Sequence, residues 1–204
     1  LFRSIDKINL TYTYAAPALA NFSVAYDYRD EHFKWMQDNY KGVNIHYYQH
    51  KVSGYISQFH LLNLSTAVGV SYSNNSFDLA STEESTFDSI IFQQNRLFTP
   101  FVTVKYDNLD DAYFAKHGIS AQLKAQYHFD TKDREGRYFD IGYAFQSYIT
   151  PSNGRWTIIP QFYGQHRSFS WYFNLWNTFG GEIAGRHFEG QLPFIGLASV
   201  MDAD

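Results

Sequence analysis

The chain's eight histidines are its first candidates for chemistry. His46 and His50 stand four apart. On a strand they share a face but lie about 13 Å from each other, too far to hold one metal ion. His166 and His187 are isolated, so spacing assigns no metal site. His166-Arg167-Ser168 supplies no hydrolase geometry, and no Gly-x-Ser-x-Gly elbow occurs. Asp107 and Asp110 are a carboxylate pair of the kind acid–base catalysis uses. Between two patterned segments, they read better as acceptors for turn N–H groups. The residues therefore imply no catalytic set and no cofactor, and this segment is expected not to be an enzyme.

The elements that would position these residues are strands. Residues 119–130 alternate apolar and polar without a break: Ile119, Ala121, Leu123, Ala125, Tyr127 and Phe129 against Ser120, Gln122, Lys124, Gln126, His128 and Asp130. That period of two gives a strand with one apolar face. It is long enough to cross a bilayer, which takes roughly 9–11 tilted residues. Seven other segments repeat the pattern: about 5–15, 20–29, 42–58, 62–73, 89–107, 138–149 and 156–167. In 42–58 the apolar parity starts on Val43, Ile45 and Tyr47 and breaks near Lys51–Gly54, which predicts a bulge. Pro100 is awkward within a paired ladder. Residues 30–41, 74–88 and 168–196 read as long loops, with 131–137 on the same side; 16–19, 59–61, 108–118 and 150–155 read as the shorter turns.

Composition supports the same class. The chain holds 17 Tyr and 19 Phe, enough for strands and for aromatic girdles at membrane interfaces. The four tryptophans, Trp35, Trp156, Trp171 and Trp176, fall at strand ends or in loops, where they would anchor at an interface. No apolar run reaches the roughly 18 residues of a transmembrane helix. A net charge of −4 without a Lys/Arg cluster argues against a nucleic-acid partner. With no cysteine there are no disulfides or thiolate sites. The fold expected is all-β: an antiparallel transmembrane β-barrel, with about eight strands in residues 1–204 and the lipid bilayer as its partner. A soluble sandwich or lipocalin-like barrel competes. Its strands would be shorter and its apolar face would point inward. The chain begins and ends within patterned sequence, so a segment of a longer protein is expected.

Tyr106-Asp107-Asn-Leu-Asp110-Asp-Ala-Tyr113-Phe114-Ala-Lys-His-Gly118 resembles the turn of the BamA-like bacterial surface-antigen superfamily. There a strand ends Tyr-Asp-x-x-Asp and continues to Tyr-Phe-Pro-x-x-Gly. Ala115 replaces the usual proline, which implies a less rigid turn. A second stretch carries Gly180, Gly181, Gly185, Arg186, Gln191, Pro193 and Phe194. It is similar to the loop of that superfamily that folds back into the lumen, with Gly-Arg in place of the usual Arg-Gly. The Gln-Leu-Pro-Phe-x-Gly ending resembles the Bacteroidetes branch whose barrels follow a patatin-like phospholipase domain.

The resemblance implies a bacterial outer-membrane localisation in a Gram-negative cell and a 16-stranded barrel, of which this chain would be a middle set. It implies that the 168–196 loop enters the lumen. Arg186 would pair there with an acidic group on a later strand, either Asp202 or one beyond Asp204. The function implied is anchoring or translocating an attached domain, with any lipase chemistry upstream. The alternatives are a barrel for protein insertion or secretion, and a porin-like channel, which would lack the arginine loop. Further partners implied are the barrel-assembly machinery or an attached periplasmic or surface domain.

Overall fold

The computed structural model describes residues 5–16, 20–35, 43–61, 63–80, 94–111, 114–132, 137–152, 154 and 156–168, and three short strands further on. Eight strands form one antiparallel sheet in chain order: β1 (Ile5–Ala15), β2 (Asn21–Trp35), β3 (Val43–Leu61), β4 (Leu64–Ala80), β5 (Asn95–Asp107), β6 (His117–Asp130), β7 (Arg137–Ile149) and β8 (Gln161–Arg167). Each is bonded to its sequence neighbour, and among the described residues β1 and β8 keep one open edge each. A second sheet places β9 (Asn177–Phe179) between β10 (Gln191–Leu192), which is parallel to it, and β11 (Val200–Asp202), which is antiparallel.

The two faces of the large sheet differ in kind. Ser23, Ser53, Ser71, Ser73, Asn75, Asn95, Thr99, His128 and Asp140 are buried, and register puts all of them on one face. The opposite face carries Leu10, Tyr12, Val24, Ile56, Val68, Val102, Leu123, Tyr143 and Phe162, all exposed. A water-soluble sandwich has the reverse arrangement. An apolar face this continuous needs an apolar surrounding, and the antiparallel ladder leaves its backbone satisfied there. The soluble alternative, with apolar residues turned inward, is thus excluded by which parity is covered.

Several strands outrun their sequence signal. Residues 30–35 and 74–80 continue β2 and β4 where loops are expected. At this end the polarity of the two faces inverts. Ile45, Tyr47 and Leu97 are buried on the inner face, while Asp30, His32 and His46 take the outer parity. This inversion explains the apparent parity break in β3. The bulge expected at Lys51–Gly54 is absent: the register runs unbroken there and shifts only between Phe59 and Leu61. At the other end β8 starts later than expected, at Gln161. Pro160 has no N–H to give a ladder, and its carbonyl accepts from Ser147 N at 3.1 Å. Ile158 makes only an isolated bridge to Ile149. Connections 108–116 and 150–160 are as long as most at the opposite end, so the expected contrast between short and long sides is blurred.

Leu123 stands on the outer face in mid-strand and is 49% exposed. Leu123→Arg should cost about 2–4 kcal/mol in lipid, whereas Gln122→Arg, on the inner parity, should cost far less. Reversible unfolding of the full-length protein in bilayers measures both. Equal costs would mean the faces are assigned wrongly.

Candidate functional site

The inner face is a wall of hydrogen-bonded polar side chains. Near its β7–β8 edge, Asp140 accepts from Arg167 Nη2 at 2.7 Å and from Gln165 Nε2 at 3.0 and 2.9 Å, one contact to each oxygen. The Asp140 and Arg167 side chains are 6% and 8% exposed. Three charge-assisted contacts on one buried carboxylate offset its desolvation. Further along, Asn75 receives Tyr47 Oη and Gln49 Nε2, each at 3.0 Å, and donates to Asn95 Oδ1 at 2.8 Å. Thr99 and His128 join across β5 and β6 at 2.9 Å. Lys124 Nζ lies 5.7 Å from the centre of the Phe101 ring. Gly69 lets Tyr55 and Phe101 close over the sheet, since a Cβ there would fall 2.4 Å from Tyr55 Cβ.

The β5–β6 turn is built on its acidic and amide side chains. Asp107 Oδ1 accepts from Leu109 N at 3.3 Å, and its other oxygen pairs with Lys105 Nζ at 2.8 Å. Asp110 Oδ1 accepts from Lys116 N and His117 N at 2.9 and 3.1 Å. Those N–H groups, His117 first, hold the Asp110 carboxyl below the usual carboxylate range. Asn108 Oδ1 accepts from Ile119 N at 2.6 Å, and Asp111 Oδ1 from Phe114 N at 2.9 Å. Gly118 adopts φ 120°, and a Cβ there would meet Asn108 O at 2.6 Å. Tyr106 lies on the outer face and Phe114 is 83% exposed.

Of the turn residues singled out in the sequence, Tyr106, Asp107, Asp110, Phe114 and Gly118 come together here, while Tyr113 lies outside the described residues. So do Gly180, Gly181, Gly185, Arg186, Pro193 and Phe194 of the loop; only Gln191 is placed, on β10 opposite Thr178. Asp202 lies on β11 opposite Asn177.

Sequence spacing missed every cross-strand set. Asn108 and Asp111 carry the same turn signal as their neighbours. Asp140–Arg167 and Asp30–His32–His46 need a register before they are visible. Once Trp35 faces Val43, the two numbers of every β2–β3 pair sum to 78, and His32 faces His46. The ligand atoms of Asp30, His32 and His46 lie within 4.8 Å of one another, a possibility that His46–His50 spacing could not reveal.

A family model described as the OMP85 superfamily matches residues 16–141. Among solved structures the chain is similar to BamA from Haemophilus ducreyi lacking POTRA domains 1-3, at 19% identity and a TM-score of 0.65. The match covers 88% of this chain and 37% of that one, a likeness of fold to part of a larger protein. No curated protein matches the chain.

Two outcomes follow from the site's geometry. Arg167→Ala should destabilise the folded protein by about 3–5 kcal/mol by stranding the Asp140 carboxylate, and Arg167→Ala with Asp140→Leu should recover part of that loss in the same lipid unfolding assay. Because the Asp110 pKa is lowered, its hold on Lys116 and His117 is complete above the ordinary carboxylate range. It is lost as pH falls through the lowered value. The amide resonances of Lys116 and His117 should therefore titrate at that low pH, and in Asp110→Ala they should not.

Proposed function

The chain belongs to the OMP85 superfamily, and from that premise we propose that it is part of the wall of a bacterial outer-membrane barrel whose work is to insert or secrete polypeptide. One observation carries the reading: covered polar side chains on one face and an exposed apolar face on the other. Such a wall gives lipid a hydrocarbon surface and keeps its polar groups on the opposite side, the side along which a passing chain would travel. Charges of the wall such as Asp140 and Arg167 are paired and covered, so they exert little pull on a polypeptide passing that side.

A second reading has a specific observation behind it. The Gln191–Gly196 ending resembles barrels that follow a patatin-like phospholipase domain, for which this segment would be the anchor or conduit. In that case lipase chemistry belongs to an upstream domain, and the barrel segment itself is not catalytic. In both readings the strands described here are a middle set of a 16-stranded barrel, and the 168–196 loop enters the lumen with Arg186 paired to an acidic side chain.

Depletion of the full-length protein from its own cells separates the two readings. If it inserts polypeptide, the folded, heat-modifiable forms of other outer-membrane barrels should decline. If barrel levels hold while an attached domain disappears from the envelope, the anchoring reading replaces the first.

A further inference from the structure

We propose that Asp30, His32 and His46 form a binding site for a divalent transition-metal ion of the zinc, nickel or copper class, at the end of the β2–β3 hairpin beside residues 36–42. The site does not depend on the barrel's function. Register creates it. His32 faces His46 across the ladder, and Asp30 faces Tyr48 one pair further in. All four stand on the outer parity, beyond the end of the apolar band.

The geometry suits one ion. Both Nε2 atoms lie near the same carboxylate oxygen: His46 Nε2 is hydrogen-bonded to Asp30 Oδ1 at 2.6 Å, and His32 Nε2 lies 3.7 Å from it. Donors about 2.0–2.2 Å from a tetrahedral ion sit about 3.3 Å from each other. The two distances bracket that value, so the three atoms are already gathered within reach of one ion. The His32 and His46 rings are stacked, 3.5 Å between centroids and 22° between planes, so the exposed His32 ring must swing out of the stack for both in-plane Nε2 lone pairs to meet one ion.

The surroundings orient the ligands. Tyr48 Oη lies 2.5 Å from His46 Nδ1. In the tautomer that leaves Nε2 free for a metal, His46 Nδ1–H donates to that phenol oxygen, which takes the place of the carboxylate, carbonyl or water that orients most metal-bound histidines. Tyr28 Oη donates to Asp30 Oδ2 at 3.3 Å, leaving Oδ1 to the ion. Asp78 on β4 stands opposite His46 in the register and adds negative charge nearby. Two imidazoles and a carboxylate favour borderline metals over magnesium or calcium, which take all-oxygen shells. His32 is 52% exposed, so the site opens to water and the fourth position is left for solvent.

The test uses the full-length protein, folded in detergent or lipid and stripped with chelator, with Zn²⁺ as the probe and Co²⁺ for its visible spectrum. Calorimetric titration should show one tight ion, and Co²⁺ should give the intense bands of a four-coordinate centre. His32→Ala, His46→Ala and Asp30→Asn should each weaken binding by about 10-fold or more, and Tyr48→Phe by about 10-fold. His50→Ala, on the same face but tied to Tyr26 at 2.9 Å, should leave affinity unchanged. Gel heat-modifiability confirms that each variant is folded. His32→Ala is the safest of them because that side chain is already in water. Absence of saturable Zn²⁺ binding overturns the proposal, and so does a loss in His50→Ala equal to that in His32→Ala.

Discussion

Everything in this sheet depends on pairing. In hydrocarbon an unpaired backbone N–H or C=O has no water to turn to, so a strand can lie there only if both neighbours complete its ladder. Eight consecutive antiparallel strands give every strand but the two outermost a neighbour on each side. The same ladder fixes register, and register decides which side chains meet. The outer apolar surface, the inner polar wall and the Asp30–His32–His46 set all follow from it. None is a local property of a single strand.

The inner wall shows how a polar interior is held. Its buried serines and threonine are small and fill the space under larger neighbours, while asparagines bridge from strand to strand. Its Asp140–Arg167 ion pair is supported by a glutamine, so that two donor nitrogens make three contacts with the carboxylate. At the β2–β4 end, where the strands pass the apolar band, the inner face becomes partly apolar with Ile45 and Tyr47. Water on the outside and cover on the inside restore the ordinary rule for a soluble protein at that level.

Much of the fold was legible because period two is a strong signal. β1, β6 and β7 stand within two residues of the segments read from alternation. The strand extensions were not legible. Asp30 and Glu31 in β2, or Asn74 and Asn75 in β4, look like loop residues until their partners on β3 are known. Strand ends were set too long where proline acts, as at Pro160. The inward or outward sense of the apolar parity was also out of reach, because alternation is symmetric and only covering distinguishes the faces. For the site, the turn acids were recognisable from their chemistry, but Asp140 with Arg167 and His32 with His46 are separated by whole strands.

Pro100 has one more effect. It sits mid-sheet, in the row Tyr12, Val24, Gly54, Val70, where β4 still pairs with β5 without a break. On its other side the β5–β6 register passes from Phe98 to Phe101, leaving out Thr99 and Pro100. Thr99 reaches His128 through its side chain instead. The β5–β6 seam thus pairs less completely than β2–β3 or β3–β4, and the β7–β8 seam is shorter still. Where the backbone pairing lapses, the Thr99–His128 contact carries the join between the two strands, so the polar face and not the apolar one closes the sheet at Pro100.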